Sequence, residues 1–190
     1  MLGHYKAPLH RFFDPVARLL LRARVRPNHL TVLGLGVSIA AAYVFSEGRL
    51  RSGAALLAVA GLFDFFDGAV ARLAGSESDY GAFLDSVVDR YSDLAVLLGI
   101  LVFYEKSGDT PGSVLTMATL AGTVMVSYTK ARAQSIGMRC EIGLMERPER
   151  MIVLIVGAAL HWLLPALVAL AFLTNLTALH RIYHVWRVTR

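Results

Sequence analysis

Cysteine is almost missing from this chain of 190 residues. Cys140 stands alone, which excludes an internal disulfide framework. Charge is sparse too: 17% of residues are charged and 56% are hydrophobic, with a mean hydropathy of +0.55. Soluble domains carry about 25% charged and roughly 45–50% apolar residues, so an ordinary soluble domain is excluded. The chain also lacks a polar linker, a low-complexity tract or an internal repeat, and its length suits one domain. No cleavable leader is evident, because Lys6, Arg11, Arg18, Arg22, Arg24 and Arg26 are scattered among apolar residues at the start. No Ser, Cys or His is placed as an obvious covalent nucleophile. His4, His10, His29, His161, His180 and His184 have no metal-ligand spacing and read as interfacial packing.

What is present is a series of apolar runs. Six predict membrane helices, over 29–46, 51–74, 81–104, 113–136, 148–163 and 165–186. Pro27-Asn28 and Pro148 stand at helix starts, and Gly48, Gly75, Gly108 and Pro165 fall at breaks. Ahead of them, Pro8–Arg24 reads as an amphipathic helix. Leu9, Phe12, Phe13, Val16, Leu19 and Leu20 recur at helical spacing, with Arg11, Arg18 and Arg22 opposite, which suits the plane of an anionic leaflet. The expected architecture is therefore all-α and integral to the membrane. Residues 1–28 form an interfacial segment and residues 29–190 the membrane domain.

The net charge of +5 fits a positive-inside membrane protein better than a nucleic-acid binder, since so little soluble surface is left. With a cytoplasmic N-terminus, only Arg49, Arg51 and Lys106 fall outside, leaving 16 of the 19 Lys and Arg residues on the cytoplasmic side. Both termini, and the chemistry, are expected to face the cytoplasm of the cell membrane.

The second and third spans hold Asp64, Asp67, Asp85, Asp89 and Asp93. Each unpaired charge at that depth costs several kcal/mol, so five need a reason. Asp64 and Asp67 are i,i+3, and Asp85 and Asp89 i,i+4, so each pair shares a helix face. A rise of about 1.5 Å per residue from position 50 places Asp64 about 21 Å and Asp67 about 25 Å into the core. On the return, Asp85 lies at about 24 Å and Asp89 at about 18 Å on the same scale. Asp67 therefore faces the level of Asp85, and Asp64 that of Asp89. Four clustered carboxylates repel one another unless a cation neutralises them. All-oxygen ligation suits Mg²⁺, Mn²⁺ or Ca²⁺, and a pair of such ions suits phosphate chemistry. Structural ion pairing with Arg72 and Arg90 is the competing reading, though two arginines cannot neutralise five acids. Gly68, Ala71 and Gly81 leave bare helix walls for a nucleotide diphosphate, or simply pack helix on helix. A transporter or channel would be a different class of protein. It predicts acids spread through the membrane depth, whereas these gather towards one side.

The motif as a whole is Asp64-x-x-Asp67-Gly68-x-x-Ala71-Arg72, eight residues, then Gly81-x-x-x-Asp85-x-x-x-Asp89. It resembles, without departure, the signature of the CDP-alcohol phosphotransferases, with eight identities over 26 residues. The resemblance implies six membrane helices around a polar cavity open to the cytoplasm, in a homodimer. It implies that Asp64, Asp67 and Asp85 bind two Mg²⁺ or Mn²⁺ ions, with Asp89 completing the site and acting as general base. It further implies that Asn28, Thr31, Gly68, Ala71, Arg72 and Gly81 hold the CDP-lipid, CDP-diacylglycerol or CDP-archaeol.

A basic cluster bears on the acceptor. Ser127-Tyr128-Thr129-Lys130-Ala131-Arg132 ends the fourth span, and Glu146-Arg147-Pro148-Glu149-Arg150 opens the fifth. Lys130, Arg132, Arg150 and Arg181 together would make a phosphate pocket. Positive-inside anchoring with snorkelling side chains is the alternative. Both stretches resemble those of actinobacterial phosphatidylinositol-phosphate synthases and their archaeal archaetidylinositol-phosphate relatives. That resemblance implies inositol 1-phosphate as acceptor, gripped by those four residues. Glycerol 3-phosphate would want a similar pocket, while serine or free inositol would need fewer cations. Asp93, one turn deeper than Asp89, either accepts inositol hydroxyls or pairs with a lysine or arginine, and pairing is the favoured reading.

Overall fold

The computed structural model describes residues 15–190. A helical segment over 15–22 precedes six helices: α1 Pro27–Ser46, α2 Leu50–Ala74, α3 Asp79–Ser107, α4 Thr110–Ser135, α5 Arg147–Ala159 and α6 Leu163–Val188. Of the expected amphipathic helix, residues 8–14 lie outside the described residues. The rest is helical but stops before Arg24, whose φ is 59°. Ala17, Leu20 and Leu21 pack it onto Leu30, Ala69 and Val70 of α1 and α2.

Local chemistry sets most of the ends. Pro27 opens α1 and Pro111 lies in the first turn of α4, where a missing N–H costs no helical bond. Ser78 caps α3 by accepting the Gly81 N–H at 3.1 Å, and Asp109 caps α4 by accepting that of Gly112 at 3.0 Å. Gly75 closes α2 in the left-handed region, which an L side chain enters only with strain. Several expected boundaries move, two of them around the turn between α5 and α6. The fifth helix ends at Ala159, not at 163, in a turn through His161 with φ 59°. Pro165 is not in that break but in the first turn of α6, for the same reason as Pro111.

The interior mixes an apolar core with hydroxyl side chains, while many large apolar side chains face outward. Thr116, Thr119, Thr123, Thr174 and Thr177 are buried, while Tyr43, Phe172 and Leu179 are 62–69% exposed. Four of these hydroxyls, on Thr116, Thr119, Thr174 and Thr177, bond back one turn, as in Thr116 to Gly112 and Thr174 to Leu170, both at 2.7 Å. Such a surface is stable against lipid rather than water. α1, α2 and α6 are each long and apolar enough to cross a membrane, so the chain is a multi-pass membrane protein.

Two features position the site. α1 packs against both α2 and α3, whereas the backbones of α2 and α3 nowhere come within 8 Å of each other. The acid-bearing helices are thus held apart by a common neighbour, leaving a gap for side chains between them. The second feature is Gly99, where α3 presses onto α1. A Cβ at this position would fall onto the Ala42 carbonyl, and backbone cannot give way as a side-chain tip can. Gly99→Val should therefore destabilise the fold by about 1–3 kcal/mol, read as a lowered unfolding midpoint in detergent.

Candidate metal and phosphate-transfer site

Asp64 and Asp67 project from α2, and Asp85 from α3, into the gap between these helices. One carboxylate oxygen from each lies within 4.8 Å of the others. Asp67 is the most enclosed, at 6% exposure, and its Oδ2 accepts a hydrogen bond of 2.7 Å from Thr31 Oγ1 on α1. The spacer helix therefore also orients the acid. Oδ1 of Asp85 is buried with no hydrogen-bond partner. An orphaned anionic acceptor beside two more carboxylates is the donor set a hard divalent cation requires, so these residues fit the metal that the motif implies.

Asp89 lies one turn along α3 from Asp85. It is joined to Asp64 through Arg147, whose Nη1 donates to Asp64 Oδ1 at 2.6 Å and to Asp89 Oδ1 at 2.8 Å. The levels inferred from helical rise thus correspond to contacts, with Asp64 shared between the two groups. The guanidinium also lies 3.6 Å by Nε from Asp93. Asp93 in turn receives Arg150 Nη2 at 2.8 Å, with Arg90 at 3.9 Å, so it pairs with arginine.

Each of the four basic residues of the acceptor cluster is engaged by a group within the chain. Arg150 is buried and divided between Asp93 and the Met145 carbonyl. Arg181 is 2% exposed and donates to the carbonyls of Ile142 and Val126, at 2.7 and 2.5 Å. Its Nη2 and the Lys130 ammonium converge on Glu146, each at 3.7 Å. Arg132 is exposed and donates to Ser135 Oγ at 3.0 Å. Of the glycines, Gly68 faces the Arg72 guanidinium, 3.3 Å from where a Cβ would stand, and Gly81 sits beside Asn28. Ala71 lies half-buried one turn along α2 from Asp67.

Two spaces meet at this point. A cleft is lined by Thr31, Asp64, Asp67 and Asp89. An adjoining cavity is lined by Asp93, Arg150, Thr119 and Thr123. Ser38, Ser92 and Arg147 belong to both. Arg147 is absent from the basic residues expected from the sequence; it is i,i+3 from Arg150 and shares its helix face, which is the one signal the sequence holds for it.

Residues 24–187 match the model of the CDP-alcohol phosphatidyltransferase family, and the chain belongs to that family of transferases. Among its relatives is the archaetidylinositol phosphate synthase of Methanothermobacter thermautotrophicus, 37% identical over 194 residues, covering 98% of this chain and 95% of the relative. The phosphatidylinositol phosphate synthase of Mycobacterium tuberculosis is 37% identical over 195 residues, covering 95% and 88%. Its crystal structure with CDP-DAG bound superposes with a TM-score of 0.86 at 36% identity, over 93% of this chain and 94% of that one. Its complex with manganese and citrate gives 0.85 at 37% identity, over 90% and 88%.

The Thr31 bond yields a test. Thr31→Val keeps the shape but removes the donor that orients Asp67. Losing an outer partner of a ligand typically costs about 10–100-fold in metal affinity. Titration of the purified protein with Mn²⁺ should show a loss in that range.

Proposed function

We propose that this chain transfers a phosphatidyl or archaetidyl group from CDP-diacylglycerol or CDP-archaeol to inositol 1-phosphate, releasing CMP. The observation that carries this reading is the meeting of Asp64, Asp67 and Asp85 within 4.8 Å across a gap between separated helices. The relatives' activities point to the acceptor. Asp64, Asp67, Asp85 and Asp89 would hold two Mg²⁺ or Mn²⁺ ions, which when bound supply charge neutralisation for the diphosphate and the departing CMP oxygen.

The chain's own groups then divide the work. Asn28, Thr31, Gly68, Ala71, Arg72 and Gly81 line the approach for the CDP moiety, where the small residues admit the diphosphate close to the helix walls. Lys130, Arg132, Arg150 and Arg181 receive the acceptor's phosphate. Asp89 takes the proton from the attacking hydroxyl. A bond forms between that oxygen and the lipid-side phosphorus as the bond from phosphorus to the CMP oxygen breaks.

All six helices cross the membrane in this reading. At about 1.5 Å per residue, α3 and α4 are about 43 and 39 Å long, more than a hydrocarbon core of about 30 Å needs. Their lower hydropathy reflects polar side chains turned inward to the site. α5, with 13 residues, crosses with the help of the turn that follows it. Residues 1–28 form the interfacial segment and 29–190 the membrane domain. Both termini and the cavity face the cytoplasm, and two copies associate.

CMP release from CDP-diacylglycerol should require Mg²⁺ or Mn²⁺, stop on chelation and return on re-addition. Across a panel of acceptors, inositol 1-phosphate should give the highest kcat/KM. A higher value for glycerol 3-phosphate, serine or free inositol would reassign the acceptor, and no release with any would remove the enzyme reading. Asp89→Asn should lower kcat by at least 10²-fold, the lower end of what a general base contributes. CDP-lipid binding to this variant should remain measurable by calorimetry, and retained turnover would remove the base assignment.

A further inference from the structure

We propose that Arg147 is an internal counter-cation that holds the metal's place and must leave Asp64 and Asp89 for the metal to bind. The inference rests on the metal reading above and adds to it a competitor within the chain. One nitrogen, Nη1, touches both carboxylates, at 2.6 and 2.8 Å. Asp64 is at the same time one of the three acids whose oxygens gather within 4.8 Å. Nη1 takes Oδ1 of both acids, so a divalent cation ligated by Asp64 and Asp89 competes with it for those carboxylates and is repelled by its like charge.

The arrangement solves a problem that the acids create. With no cation bound, Asp64, Asp67, Asp85 and Asp89 would face one another as like charges. A tethered guanidinium relieves part of that repulsion, and a tether makes it a local competitor that is always present. Arg147 also has somewhere to go. Its Nε already lies 3.6 Å from Asp93, which Arg150 holds in place at 2.8 Å. The residue forms part of the wall between the acid-lined cleft and the cavity that contains Arg150. Release from Asp64 and Asp89 would leave its charge beside Arg150, on the side where the acceptor's anion is received. Metal entry would thus deliver a cation to the second cavity, and coupling of this kind is reciprocal between the two sites.

The test is Mn²⁺ binding to the purified full chain in detergent, without substrates, followed by the electron paramagnetic resonance of free Mn²⁺. Removing a competitor should tighten binding, so R147Q is expected to bind Mn²⁺ about tenfold more strongly than the wild type. R147L replaces it in the same titration if R147Q does not fold. Unfolding midpoints provide a readout that a purely structural arginine would not give. R147Q should melt below the wild type in chelator but recover to the wild-type midpoint at saturating Mn²⁺. Equal or weaker Mn²⁺ binding by the variant, or a midpoint deficit that persists with Mn²⁺, overturns the inference. Absence of Mn²⁺ binding in wild type and variant alike would instead overturn the metal reading on which it rests.

Discussion

Repulsion between clustered carboxylates is the constraint around which this molecule is arranged. Asp64, Asp67 and Asp85 each bring a carboxylate oxygen within 4.8 Å of the others, with Asp89 one turn away. A cation placed among them relieves that repulsion. Every surrounding feature bears on that demand. Thr31 orients Asp67, Arg147 spans Asp64 and Asp89, and Asp85 keeps an oxygen without a partner.

The fold supplies the space for this through α1. Because α1 packs against both acid-bearing helices, α2 and α3 can present side chains to each other without touching along their backbones. Close approach is spent elsewhere, at Gly99 against Ala42, which anchors α3 to α1 below the site. Separation between α2 and α3 and contact between α1 and α3 are thus two results of the same packing. The gap is a consequence of where the small residues are placed.

Charge balance extends from the acids into the basic cluster. Asp93 is the junction, since Arg150, Arg147 and Arg90 all approach it. Arg181 does different work, as its guanidinium ties the loop at Ile142 to Val126 within α4 through two carbonyls. Glu146 collects Lys130 and the remaining nitrogen of Arg181. The basic residues are therefore already engaged within the protein, and an incoming phosphate would compete with carboxylates and carbonyls rather than enter an open cluster of cations.

Much of this was legible in the chain itself. The apolar runs located all six helices, because length and hydropathy are properties of contiguous residues, and Gly75 and Gly108 marked helix ends through local backbone chemistry. Helical rise was enough to set Asp67 level with Asp85 and Asp64 level with Asp89, since antiparallel neighbours share one axis of depth. The motif fixed the family. The sequence could not show which cation reaches which anion. Arg147 is 58 residues from Asp89 and 83 from Asp64 in the chain, and nothing local distinguishes it from Arg150, three positions away. Depth can be counted along a helix, but azimuth and side-chain reach depend on how α5 leans against α2. Only the tertiary structure decided that the counter-charge to the acids is Arg147 and that Arg181 is committed to the backbone.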